Sequence, residues 1–404
     1  MKFISFLKKK NNEYKIGIVE EFILMVAACS LCLLVGFNLS HKSTERKEEK
    51  YDENLTTFID NYNYIVDNYY KKVDKKQLID DAIAGMMKTL DDPYSVYMND
   101  NETKNLNIAL NGEYKGLGMV IAKAESGDIV VAGIFKDSPA EKAGLKEGDI
   151  IKKIDDKDVT KMEISEFSNY VIQSKNNEFK IIVNRDSEDI EITANKSNVE
   201  IDSVSSKTIE RDNHKIGYIY ISMFAANTDK QFGKKIIELE KEGIDSLIID
   251  VRDDSGGYLT TVDSMLKMFM TKKQVIYQLN KGKSTIKEFG NSKTNKKYKI
   301  VLLGNENSAS ASELLISGIR ENYDSSIFVG KKTYGKGTAQ EMVSIDTNNK
   351  YKITTKKWLT PKGNWINDTK GIIPDIELDT EVISYGEVET EDAQLNRAID
   401  EAIK

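Results

Sequence analysis

Three short clusters of small and polar residues have the makings of a reactive site. The first is Asn305-Glu306-Asn307-Ser308-Ala309-Ser310-Ala311-Ser312-Glu313, which follows the apolar run 298–304 and precedes residues 314–320, where apolar positions recur at helical spacing. That order reads as strand, tight turn, helix. Such a turn can hold a hydroxyl at a helix N-terminus, where unpaired backbone N–H groups and the helix dipole favour a developing negative charge. Ser, Asn and Ala are equally at home as ordinary caps, so the stretch alone does not establish a nucleophile. The other two clusters are glycine turns, Gly256-Gly257 upstream and Gly335-Lys336-Gly337 downstream. Glycine is the default wherever φ must be positive. A lysine between glycines also fits phosphate binding, but the spacing is not that of a P-loop.

What could activate a serine here is limited by composition. The 404 residues contain two histidines, His41 and His214, and two cysteines, Cys29 and Cys32. Both cysteines fall in an N-terminal apolar segment, which leaves the rest of the chain with no disulfide, thiol nucleophile or thiolate metal site. No metal site and no cofactor are expected. His41 lies just past the apolar segment, and His214 sits in the polar run Glu210-Arg211-Asp212-Asn213-His214-Lys215, read as a solvated turn. A nucleophilic serine therefore needs a base other than histidine. Charged residues make up 30% and the net charge is −7, so no basic excess points to nucleic acid.

The elements that would position these clusters follow from the pattern. Residues 1–21 carry five lysines (Lys2, Lys8, Lys9, Lys10 and Lys15), and residues 22–37 are uncharged and apolar, extending to Leu39. Eighteen residues rise about 27 Å, close to the hydrocarbon thickness of a bilayer. The preceding lysines predict an N-in, C-out signal anchor. A cleaved signal peptide is the rival, but the leader is long, contains Glu13, Glu20 and Glu21, and no small-x-small site follows the run. The expected organisation is a cytoplasmic basic segment (1–21), a transmembrane signal anchor (22–39), a charged linker (40–55) and a helical region (56–107). In that region Phe58, Tyr62, Ile65, Val66 and Tyr69 share one helix face. Leu78, Ile79, Ala82, Ile83, Met86 and Met87 share another, ending at Asp91-Asp92-Pro93-Tyr94. Residues 108–196 switch to short strands and turns. From 197 to 380, strands alternate with helices as in an α/β layered domain, and 381–404 read as an acidic terminal helix suited to assembly.

Two stretches carry a resemblance. Ser138-Pro139-Ala140-Glu141-Lys142-Ala143-Gly144-Leu145-Lys146-Glu147-Gly148-Asp149-Ile150-Ile151 is similar to the signature of bacterial PDZ domains, and Gly116-Leu117-Gly118-Met119 matches their carboxylate-binding loop. Glycines there expose backbone N–H groups to a chain-terminal carboxylate, and the next strand edge can pair with an extended peptide. In the C-terminal half, the serine stretch, Gly335-Lys336-Gly337-Thr338-Ala339-Gln340 and Asp250-Val251-Arg252-Asp253-Asp254-Ser255-Gly256-Gly257 together resemble the C-terminal processing (tail-specific) peptidases. Thr360-Pro361-Lys362-Gly363 and Gly371-Ile372-Ile373-Pro374-Asp375 also match. The likeness covers about residues 55–380.

The resemblance implies a multi-domain α+β chain with a PDZ domain and an α/β layered, crotonase/ClpP-like core. It makes Ser310 the nucleophile, Lys336 the general base and Gln340 the residue that orients the lysine. The backbone N–H of Ala311 and of Gly256 or Gly257 would form the oxyanion hole. Lys336 must be neutral when the serine attacks, which requires burial, and Glu313 is a candidate partner for it at rest. The implied activity is a membrane-anchored, PDZ-gated serine endopeptidase acting on C-terminal tails of exported or membrane proteins, with a homodimer or an adaptor as possible assembly. Two departures stand out: Ser255 replaces the usual proline or glycine, and Asp253-Asp254 replaces an asparagine-containing pair, adding negative charge near the oxyanion hole. The Ser310–Lys336 interval is also one residue longer than usual, through an insertion within 321–326. The rival readings are a catalytically inactive, membrane-tethered PDZ scaffold and a crotonase-like acyl-CoA enzyme, which the outward topology and the PDZ module disfavour.

Overall fold

A computed structural model of the chain describes residues 52–293, 295–344, 350–379 and 392–404. The basic segment, the expected signal anchor and residues 40–51 of the linker lie outside the described residues, as do residues 380–391. Among the described residues no helix is long and apolar enough to cross a membrane. The chain divides into two units at residues 82 and 83. The first holds α1 (Glu53–Asn68) and most of α2 (Lys75–Lys88). Asp52 caps α1 by accepting from Leu55 N–H at 2.8 Å, and α1 buries none of its residues.

The second unit opens with β1 (Val96–Met98) and α3 (Asp100–Asn111), then enters a six-stranded module. Its elements are β2 (Glu113–Gly116), β3 (Met119–Lys123), β4 (Ile129–Ile134), α4 (Pro139–Ala143), β5 (Ile150–Ile154), β6 (Lys157–Asp158), α5 (Ile164–Gln173), β7 (Glu178–Arg185), β8 (Glu188–Asn195) and β9 (Ser197–Glu200). The sheet runs β3-β4-β5-β7-β8, with β6 on the flank of β5. Alternation along β7 buries Phe179, Ile181 and Val183 against Phe167 and Val171 of α5. Entering and leaving chains pair as β2 with β9, Glu113 opposite Glu200 and Gly116 opposite Ser197, so the module hangs from a two-stranded neck.

The larger domain is layered. Its elements are β10 (Val204–Arg211), β11 (His214–Ile221), α6 (Thr228–Glu242), β12 (Ser246–Asp250), α7 (Leu259–Phe269), β13 (Val275–Lys281), β14 (Ser284–Phe289), β15 (Lys299–Gly304), α8 (Ala311–Arg320), β16 (Ile327–Gly330), β17 (Thr338–Ser344), β18 (Lys350–Leu359), β19 (Ile376–Glu377) and α9 (Ala393–Ala402). The central sheet is ordered β10-β11-β12-β15-β16-β19 and is parallel except for the β10–β11 hairpin. All of β12 is buried, as expected of a strand covered on both faces. Helices α6, α7 and α8 pack one face. Leu395, Ala398, Ile399 and Ala402 of α9 pack the other. A second sheet, β14-β13-β18-β1, carries β17 on β18.

Helix α9 turns its apolar face into the core. Asp392, at its start, shares with Asp250 the fully buried Arg252, through contacts of 2.7 and 2.6 Å from Nη2. Strands β10 and β14 and the β17–β18 hairpin escape a sequence reading, because β18 (KYKITTKKWL) is largely half-buried and rich in Lys and Thr. Apolar periodicity is weak in such a strand. Replacing Asp392 would leave the Arg252 charge short of a buried partner. Asp392→Ala is therefore expected to cost about 3 kcal/mol in urea unfolding, whereas Asp400→Ala, on the exposed side of α9, should change little.

Candidate active site

The candidate residues meet at the C-terminal ends of β12 and β15, where loops of a parallel sheet customarily build sites. The loop after β12 and the turn after β15 are stitched together. Ser308 Oγ donates to Val251 O at 2.7 Å, Ser312 Oγ donates to Asp254 O at 2.8 Å, and Ala309 N–H donates to the same carbonyl at 3.0 Å. Ser308 and Ser312 are fully buried. Their hydroxyls are therefore structural, and Ser310 is the serine of the turn that reaches the cavity. It stands immediately before α8 with φ 57° and ψ −108°. A non-glycine residue in such a conformation stores roughly 1–3 kcal/mol, and such strain gathers at functional turns.

Gly256 and Gly257 lie directly against this turn. A Cβ on Gly256 would sit 2.9 Å from Ser310 Cβ and 3.1 Å from Ala311 N. A Cβ on Gly257 would strike Phe224 O at 2.2 Å, so no larger residue fits either place. The Gly256 N–H is already used, donating to Asp254 Oδ1 at 2.8 Å. Gly257 forms a parallel bridge with Phe224 that does not consume its N–H. Among the described residues, neither the Gly257 N–H nor the Ala311 N–H has an acceptor. Of the two glycines named from sequence, Gly257 has the available donor. The acidic departures also look different in place: Asp253 Oδ1 accepts from Asn305 Nδ2 and Asn307 Nδ2, and Asp254 is buried.

Lys336 arrives on the loop between β16 and β17, held by its backbone. The chain's two tryptophans flank it: Trp358 Nε1 donates to Lys336 O and Trp365 Nε1 to Gly337 O, each at 2.9 Å. Glu313 of α8 supplies the link to Ser310. Its buried carboxylate accepts from Ser310 N–H (2.8 Å), Thr333 Oγ1 (2.6 Å), Gly335 N–H (2.6 Å) and Lys336 N–H (2.9 Å). Glu313 thus grips the backbone of Lys336, and the expected contact with its ammonium is not made. Burial raises the Glu313 carboxyl above its ordinary value, against the pull of these four donors.

The Lys336 ammonium is half-buried, with Nζ 4.6 Å from the centre of the Tyr94 ring. Burial, followed by the positive charge of Lys352, brings its pKa down to about 8, against opposing pulls from Asp92 and Glu313. At pH 7 about one molecule in ten then holds a neutral lysine, compared with about one in three thousand for an unperturbed side chain. Ser310, Ala311, Gly256, Gly257, Lys336 and Gln340 all line one cavity of about 360 Å³. Gln340 Nε2 donates to Thr338 Oγ1 and Thr354 Oγ1, both at 3.0 Å. No hydrogen bond joins any two of Ser310, Lys336 and Gln340, a looseness common in unliganded sites. Tyr94 and Lys352 were missed from sequence. Tyr94 reads as part of a helix stop, and Lys352 sits in a strand with little periodicity.

A second groove, of about 250 Å³, is lined by Gly116, Leu117, Gly118 and Met119, all four residues expected to bind peptide, with Ile121, Phe167 and Val171. Helix α3 contributes to both hollows: Ile108 lines this groove, and Leu106, Ala109 and Leu110 line the cavity of Ser310.

Known proteins agree with this architecture. The family model for peptidase family S41 matches residues 215–378, that for a PDZ domain residues 130–185, and that for the activating protease CtpB N-terminal domain residues 35–103. The carboxy-terminal processing protease CtpB of Bacillus subtilis (strain 168) is 34% identical over 341 residues, covering 83% of this chain and 70% of the relative. A probable CtpA-like serine protease of Staphylococcus haemolyticus (strain JCSC1435) is 33% identical over 88% of this chain and 70% of its own length. The carboxy-terminal processing protease CtpA of Bacillus subtilis (strain 168) is 32% identical over 88% and 76%.

Two outcomes follow, one from the contacts of Glu313 and one from the lowered pKa of Lys336. Glu313→Gln keeps the shape but sets amide hydrogens against N–H donors, so it is expected to lower unfolding free energy by about 1–3 kcal/mol in denaturant titration. For Lys336, the folded-state pKa lies below the unfolded 10.5. The penalty for holding its charge is thus fully present below about pH 8 and is relieved as pH rises toward 10.5. Lys336→Met should therefore raise Tm at pH 7, with a gain that shrinks by pH 10.

Proposed function

The chain belongs to peptidase family S41 as a serine-type C-terminal processing peptidase, and from that membership we propose how it cuts and what it cuts. The observation that carries the reading is a lysine with a depressed pKa in the same cavity as the accessible serine of its turn. Ser310 Oγ attacks the scissile carbonyl while neutral Lys336 Nζ takes its proton. The tetrahedral oxyanion is received by the Ala311 and Gly257 N–H groups. As the C–N bond breaks, Lys336 returns the proton to the leaving amine, and water then hydrolyses the acyl-serine by the same exchange. In the substrate complex Gln340, anchored by Thr338 and Thr354, would steady the lysine through its uncharged amide oxygen, and the Tyr94 ring keeps water from Nζ.

The substrates we propose are C-terminal tails of exported or membrane proteins. The tail carboxylate would meet the N–H groups of the 116–119 loop, and its last side chain the apolar groove beneath. Helix α3, which lines both hollows, is the element through which an occupied groove would gate the cavity. The apolar residues 22–39 would anchor the protein with its N-terminus in the cytoplasm and its catalytic domain outside.

Full-length protein in detergent, assayed on a peptide with an apolar free C-terminus, tests this. Ser310→Ala and Lys336→Ala should each lower kcat/KM by about 10³-fold or more. Because the neutral lysine is the active form, kcat/KM should rise with pH through a midpoint near 8. Amidating the peptide's C-terminus should lower the rate. Full cleavage by Lys336→Ala would sink the mechanism.

A further inference from the structure

Behind the Gly256-Gly257 turn lies an acid that the proposed mechanism does not use. Asp254 is fully buried. Its Oδ1 accepts from Gly256 N–H at 2.8 Å, the side-chain-to-backbone contact of an Asx turn. Its main-chain carbonyl ties the loop to α8 through Ala309 and Ser312. Oδ2 has no hydrogen-bond partner. The ionisable neighbours offer no counter-charge. On its own loop, Asp253 is an acid held by two asparagines. From β12 and the residues after it come Asp250 and Arg252, the guanidinium engaged by Asp250 and Asp392. From β11 comes the phenol of Tyr220, and from α8 the hydroxyl of Ser312. Among the described residues no cation pairs with Asp254.

A carboxylate in that place would be a buried charge with one side-chain hydrogen bond, whereas the neutral acid has the shape of an asparagine amide. Building on the Ser-Lys reading above, we propose that Asp254 is a positioning residue of the oxyanion turn and serves only as the neutral acid. Its Oδ1 fixes Gly256, which leaves the Gly257 N–H for the oxyanion. Loss of the carboxyl proton sets a negative charge behind the site where the tetrahedral oxyanion forms. Burial raises the Asp254 carboxyl well above the ordinary carboxylate range. Two opposed ionisations then bound activity: Lys336 must lose its proton and Asp254 must keep its own.

The test is Asp254→Asn in the full-length protein, which supplies the same acceptor with no proton to lose. The parent's kcat/KM should fall on the alkaline side by about tenfold per pH unit beyond the Asp254 ionisation. Asp254→Asn should match or exceed the parent at neutral pH and lack the alkaline fall. Asp254→Ala should lose tenfold or more in kcat at every pH, with little change in KM. A second readout needs no catalysis. A folded-state carboxyl pKa above the unfolded value makes the parent's stability decline as pH rises from about 4 toward the folded pKa. The Tm difference between Asp254→Asn and parent should widen over that interval. Superimposable pH–rate profiles for parent and Asp254→Asn would overturn the proposal, as would a Tm difference that is equal at pH 5 and pH 9. If the parent cleaves nothing, the Ser-Lys reading falls, and the Tm series alone decides whether Asp254 holds its proton.

Discussion

The site depends on one buried carboxylate. Glu313 has four hydrogen-bond donors from three places in the chain. One is the backbone of Ser310, one the hydroxyl of Thr333, and two belong to the Gly335-Lys336 loop. Burying a charged acid is expensive unless donors surround it, so the cheapest arrangement for this carboxylate brings the serine turn and the lysine loop together. The strained φ of Ser310 can persist because the same contact fixes the peptide before it. The contacts that satisfy Glu313 are the ones that hold the serine turn beside the lysine loop.

The same economy governs the other buried charges. Arg252 is enclosed with Asp250 and Asp392, which pins the start of α9 to the end of β12. Asp250 also accepts from Tyr218 Oη at 2.8 Å. The end of β12 therefore cannot shift without exposing an ion network, and this is the strand whose loop carries Gly256 and Gly257. Lys336 is treated differently: its ammonium lies against an aromatic ring, and burial and a second lysine outweigh the pull of Asp92 and Glu313. An ion pair would have kept its proton in place, whereas partial burial loosens it.

How much of this could be read from residues alone depends on which interactions were local. The strand–turn–helix around Ser310 was legible because an apolar run, a cluster of caps and a 3.6-residue period adjoin one another. So were the glycine turns and the module of short strands. What was illegible was made elsewhere in the chain. Ser308, Ser310 and Ser312 differ only in what the loop after Asp250 does to them. Gly256 and Gly257 look alike until Asp254 takes one of their N–H groups. Tyr94 and Lys352 come from segments with no chemical signature, brought together by the β1–β18 pairing that sets Val96 opposite Lys352. The tail helix was visible as a helix, but the partner for its apolar face was not. Span 22–39 falls in residues that the structure does not describe, so the anchor rests on the sequence.

Both tryptophans donate their indole N–H to the two carbonyls at Lys336 and Gly337, and the chain contains no other tryptophan. All of the protein's indole emission therefore arises within a few ångströms of the lysine loop. Anything that moves that loop or alters the charge beside it changes the environment of every indole in the molecule at once. The protein thus carries a built-in optical probe of the lysine loop, free of background from the rest of the fold.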